Sequence, residues 1–116
     1  MQNKINPYYH PEKLDLEMLS FDEPDMCYEY NTLCFWATQN NEIYSASDSG
    51  CSCPIPFEDY EGVNQKEVIR QLEQVGSVGQ AELIFDNWNK NYNGKPILSN
   101  SFKSRLSDWI KLRLKN

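Results

Sequence analysis

Two cysteines two residues apart, Cys51 and Cys53, have the widest chemical scope of any side chains in this 116-residue chain. They sit in Asp48-Ser-Gly50-Cys51-Ser-Cys53-Pro54-Ile-Pro56-Phe57-Glu58-Asp59-Tyr60, between a strand-like run and an acidic, aromatic end. In an extended segment both thiols point to one side, and in a turn they converge. Zinc takes about four ligands, often Cys or His two to four residues apart. Cys27, Cys34 and His10 are the remaining soft donors. Cys27 and Cys34 lie an odd number of residues apart, so a regular strand sends them to opposite faces and only one can join. A zinc site would therefore use His10, Cys51 and Cys53 with one further ligand, although no paired C-x-x-C spacing supports it. The expectation is no metal and no cofactor, with zinc at those three residues as the alternative.

Catalysis has thinner support. A cysteine nucleophile needs a base, and His10 is the sole histidine. Asp48 ahead of Gly50-Cys51 can orient a neighbour or simply make a turn. No phosphate-binding glycine loop and no Ser/His/Asp pattern is present. The pattern favours a protein that is not an enzyme, in which Cys51 and Cys53 are small residues packing a proline-stiffened loop. Phe57 and Tyr60, flanked by Glu58, Asp59 and Glu61, are then candidate partner-binding anchors on an exposed loop. The competing reading turns both aromatic rings inward to close the core.

The elements that must hold these residues follow from periodicity. Residues 1–23, with Pro7 and Pro11 around Tyr8-Tyr9-His10, read as an N-terminal arm clipped onto the domain, with a short helical turn from Pro11. Residues 24–62 read as a hairpin followed by the Cys/Pro loop. Its first strand runs from Met26 to Thr38, with Tyr28, Tyr30, Thr32, Cys34 and Trp36 on one face and Leu33, Phe35 and Ala37 on the other. Gln39-Asn40-Asn41-Glu42 makes the turn, and Ile43–Ser47 returns antiparallel. Asp48 to Gly62 is expected to be an irregular loop, with Gly50 in a conformation other residues resist.

Residues 63–116 read as three helices. Asn64 and Glu67 form the first capping box, with Val68, Leu72 and Val75 as the stripe and Gly76 as the stop. Ser77 and Gln80 start the second, with Ala81, Ile84, Phe85, Trp88 and Tyr92 on one face and Asn93-Gly94 ending it. Ser99 or Asn100 caps the third, which presents Phe102, Leu106, Trp109, Ile110 and Leu114. Trp88 and Trp109 are expected in the core, and Leu83 on the opposite face. The expected fold is α+β: a small antiparallel sheet, its central hairpin at about 26–47, packed by about three C-terminal helices in one domain, 1–116. A further strand must come from the arm or the 54–62 loop, because a lone hairpin is marginal.

The net charge of −6 opposes general nucleic-acid binding. It is unevenly placed: residues 1–62 carry twelve carboxylates and two lysines, for −10, and residues 63–116 carry nine basic and five acidic side chains, for +4. An acidic face of this kind would steer the chain to a basic partner. No apolar run approaches the roughly 18 residues of a membrane span, and the N-terminus lacks an apolar signal core. A cytosolic location with reduced cysteines is expected.

Tyr8-Tyr9-His10-Pro11-Glu12-Lys13, with Asp48-Ser-Gly50-Cys51-Ser-Cys53-Pro54-Ile-Pro56-Phe57-Glu58, resembles a family of small bacteriophage proteins of uncharacterised function. The likeness covers roughly the first 60 residues. It implies a phage or prophage origin and expression in the bacterial host cytoplasm, and it carries no activity. It also points to Tyr9, His10, Asp48, Cys51 and Cys53 as one spatial cluster. The expected function is protein–protein binding to a host or phage protein with a basic surface, inhibiting a host or defence protein. The alternatives are a metal-stabilised or catalytic Cys/His site and a minor virion or assembly component.

Overall fold

The alternation of Leu33, Phe35 and Ala37 with Cys34 and Trp36 places two apolar rows back to back, and a strand with both faces apolar must be covered on both. In the computed structural model, which describes residues 3–51 and 55–114, this strand is β2, Glu29–Ala37. It lies between β1, Glu17–Asp22, and β3, Ile43–Cys51, and pairs antiparallel with both. A short β4, Glu73–Val75, pairs with Ile43–Ser45 and completes a four-stranded antiparallel sheet in the order β1-β2-β3-β4. The fold is α+β, as the sequence indicates.

One face of the sheet carries Leu19, Phe21, Leu33, Phe35 and Ile43. Helices α2, Val78–Trp88, and α3, Asn100–Arg113, bury Ala81, Phe85, Leu106 and Ile110 against it. The other face carries Cys34 and Trp36 and is covered by Leu14, Leu16, Phe57 and Val68, the last from the short α1, Gln65–Ile69. The N-terminal residues are thus built into the fold. Pro11–Leu14 form a 3-10 turn, and Glu17–Asp22 supply the strand that the hairpin lacked. At the hairpin turn Asn41 takes a left-handed conformation, which asparagine tolerates, and Thr38 Oγ1 accepts from the Asn40 and Glu42 N–H groups.

Several element boundaries differ from the sequence reading. The first helix does not reach Val75. Asn64 caps it as expected, accepting from Glu67 N–H at 2.9 Å. Its Val68 serves the Trp36 face, however, whereas Val75 serves the Phe35 face. No single helix can feed both sides of a sheet, so the chain leaves helix after Ile69 and re-enters as β4. The second helix stops at Trp88, not near Asn93. Asn89 is buried, and its side chain donates to Leu98 C=O and accepts from Leu98 N–H, drawing residues 97–98 back across the helix end. Tyr92, expected on the apolar face, is consequently 97% exposed.

Trp88 and Trp109 pack half-buried at the rim of the core, not inside it, and Leu83 is exposed. Gly50 is a strand residue and not a turn glycine. A Cβ there would lie 3.3 Å from Tyr30 Oη, so the Tyr30 ring occupies the space a side chain would need.

Phe57 is fully buried, against the reading that exposes it as an anchor. Its ring meets Trp36 edge-on at 5.6 Å and stacks on Tyr8 at 5.4 Å. Phe57→Ala is expected to cost about 3–5 kcal/mol through the cavity it leaves. Tyr92→Ala should change stability by less than about 0.5 kcal/mol. Urea unfolding of the two variants checks the contrast.

Candidate functional site

The Cys/Pro loop is placed by one carboxylate. Asp48 lies on β3 opposite Thr32, and its Oδ2 accepts from Phe57 N–H at 2.7 Å and from Tyr30 Oη at 3.2 Å. Its Oδ1 accepts from Ser49 N–H at 3.0 Å. Phe57 has φ 61°, a left-handed conformation that a bulky residue resists. The charge-assisted bond to its N–H and the burial of its ring hold it there. Beyond it, Glu58–Tyr60 form a 3-10 turn.

Asn6 ties this turn to the N-terminus. Its Oδ1 accepts from the Tyr8 and Tyr9 N–H groups, and its Nδ2 donates to Pro56 C=O and Glu61 Oε2. Ile5 and Gly62 exchange two backbone hydrogen bonds beside it, and Trp36 Nε1 donates to Pro7 C=O at 2.9 Å.

These contacts do not assemble the expected Tyr9, His10, Asp48, Cys51 and Cys53 cluster. Tyr9 and His10 line one cavity, where His10 Nδ1 lies 3.4 Å from Glu12. Cys51 lines another, at the far end of β3. Asp48 is committed to organising backbone. Cys53 lies outside the described residues. Among the described residues no three His, Cys, Asp or Glu side chains converge on a metal-sized site. Cys34 is fully buried, and burial pushes its thiol well above the ordinary range, so it is not an activated nucleophile. Among the described residues no helix is long and apolar enough to cross a membrane.

The five expected partner-binding residues also divide. Phe57 faces the core, Tyr60 is half-buried against it at 5.8 Å, and Glu61 holds Asn6. Glu58 and Asp59 remain exposed. The exposed aromatic of this region is one that the strand reading concealed. Strand β2 begins at Glu29, not Met26, and Tyr28 is 82% exposed on the β1–β2 turn with φ 60°. Asp25 in the same turn also has a positive φ. Around Tyr28 the chain supplies Glu23, Asp25 and Glu29, and Glu23 and Glu29 line a cavity of about 400 Å³ with Met26, Tyr30 and Cys51. Asp48 and Asp59 lie near by. The Tyr30 phenol is pushed above its ordinary value by burial, then by Asp48, and last by Asp59. Between Lys13 and Lys66 the sequence has eleven carboxylates and no cation to offset them.

The fold and this surface define a small acidic α+β protein with a strained aromatic at one end of its sheet. The chain belongs to the family described as Domain of unknown function (DUF7574), whose profile matches residues 5–104. No curated protein and no solved structure matches it.

Two measurements check this assignment of roles. Asp48→Ala should cost about 1–3 kcal/mol, because it strands the Phe57 N–H, and should speed hydrogen exchange at that amide. Alkylation at mild alkaline pH should label Cys27 and Cys51 in the native protein and Cys34 only after unfolding. Mass spectrometry after glutamyl-specific cleavage separates Cys27 from Cys34.

Proposed function

We propose that this protein acts by binding another protein through the acidic end of its sheet, with Tyr28 as the central contact. The observation that carries the reading is the conformation of Tyr28. A left-handed non-glycine residue costs roughly 1–2 kcal/mol, and Tyr28, 82% exposed, has no burial to offset that cost. An exposed tyrosine with carboxylates in the same turn is suited to a pocket on a basic surface, where aromatic anchors supply much of the interface energy and charge steers the encounter. The resemblance of the two N-terminal motifs to small phage proteins extends the proposal. In that reading the chain is phage-encoded, works in the bacterial host cytoplasm, and engages a host or phage protein, with inhibition of a host or defence protein as the consequence.

Affinity capture from infected host lysate, with wild-type and variant protein as bait, tests the proposal. Tyr28→Gly is expected to be more stable by about 1 kcal/mol, since strain is released. It should nonetheless bind the captured partner about thirtyfold more weakly, the loss expected of an interface hot spot. Reversing Glu23, Asp25 and Glu29 to lysine should slow association and remove its salt dependence. Unchanged partner affinity in Tyr28→Gly would overturn the assignment.

A further inference from the structure

Lys4 and Lys13 are the only cations in the first 65 residues, and His10 is the only histidine in the chain. All three line one recess of about 420 Å³, whose other walls include Tyr9, Ile5, Ile55 and the Glu61 carboxylate. The placement runs against the charge of the surrounding half of the protein. One carboxylate, Glu61, also lines the recess, its Oε2 accepting from Asn6 Nδ2, and is outnumbered there by Lys4 and Lys13; Glu12 lies 3.4 Å from His10. Among the described residues neither lysine takes part in an ion pair. The walls are apolar and open, with Tyr9 52% and Ile55 48% exposed.

The size falls in the range of small-molecule sites, roughly 300–1,000 Å³, and the lining has their usual form of apolar walls with a few polar groups. Its floor is fixed. Ile5 is locked to Gly62 by two backbone hydrogen bonds, and Asn6 is buried with both ends of its amide satisfied. A preformed recess loses little entropy on binding.

We infer that this recess binds a small amphipathic anion: an apolar or aromatic body against Tyr9, Ile5 and Ile55, with a carboxylate, sulfonate or phosphate head between Lys4 and Lys13. This site is separate from the Tyr28 turn and does not depend on the protein-binding reading. The ligand would bridge the N-terminal segment and the 55–61 segment, two pieces of chain that Asn6 already joins.

Anilinonaphthalene sulfonate is the probe. Titrated into the full chain, it should bind saturably with one site per chain and shift the amide resonances of Tyr9, His10 and Ile55. The exposed lysines can be changed without loss of fold, and Lys4→Ala with Lys13→Ala together should weaken binding about tenfold. Tyr9→Ala should weaken it while leaving the melting temperature in place. Decanoate should displace the dye, and decanol at the same concentration should not. Three results would overturn the inference: binding that never saturates, equal displacement by decanol, or resonance shifts centred on the apolar groove at Val78, Leu112 and Leu114.

Discussion

The hydrogen bond from Phe57 N–H to Asp48 Oδ2 is the constraint on which one whole face of the sheet depends. Among the described residues no long helix covers the Trp36 face. It is closed by a five-residue helix, two 3-10 turns and an N-terminal segment, none of which is stable alone. What gives them a common centre is the Phe57 ring, in contact with Trp36, Tyr8 and Tyr60. To put that ring inward the chain must turn through a left-handed residue, and the Asp48 carboxylate holds the turn by taking its amide proton. Once Phe57 is seated, Pro56 C=O and Glu61 are in place to receive Asn6, and Ile5 can pair with Gly62. A Cβ on Gly62 would lie 3.0 Å from the Val68 side chain on α1, closer than ordinary packing, so a larger residue there would have to push Val68 aside.

The opposite face is built on more ordinary terms. Phe21 packs edge to face with Phe35 and with Phe85 of α2, and Ser107 donates to Glu82 across the helix pair. Arg113 lies over the Trp109 ring and pairs with Glu17 of β1, fastening the last turn of α3 to the sheet edge. The unequal construction of the two faces explains what could be read from the sequence. The alternation in β2 and the apolar stripes of α2 and α3 are periodic signals with a single physical source, and they give the hairpin, the α+β class and the helix positions. β1 was obscured because Leu14, Leu16, Met18, Leu19 and Phe21 serve both faces and so show no single period. β4 was obscured because Val75 completes a helix-like spacing from Val68 and Leu72, and only the sheet shows that Val68 and Val75 point into different cores.

Three residues of the Cys/Pro stretch, Asp48, Gly50 and Phe57, have a structural explanation. Asp48 and Phe57, at the two ends of the stretch, are hydrogen-bond partners, and Gly50 makes room for Tyr30. Residues of this kind at fixed spacing indicate a demanding backbone path as readily as a reactive centre. Asn6 was missed for the opposite reason. An asparagine between isoleucine and proline carries no periodic or motif signal, and its role arises only when distant residues 56 and 61 arrive beside it.

Tyr28 and Phe57 share the same left-handed backbone, with φ of 60° and 61°, and nothing in either residue type announces it. Their surroundings give the shared strain different meanings. At Phe57 the cost is offset within the fold by a carboxylate on its amide and three aromatic rings on its side chain. At Tyr28 the side chain is in solvent and no such compensation is present among the described residues. Strain that the folded chain does not itself repay is the kind that a second molecule can use. On the proposed reading it is this difference, not the charge alone, that sets the acidic turn apart from an ordinary solvated surface.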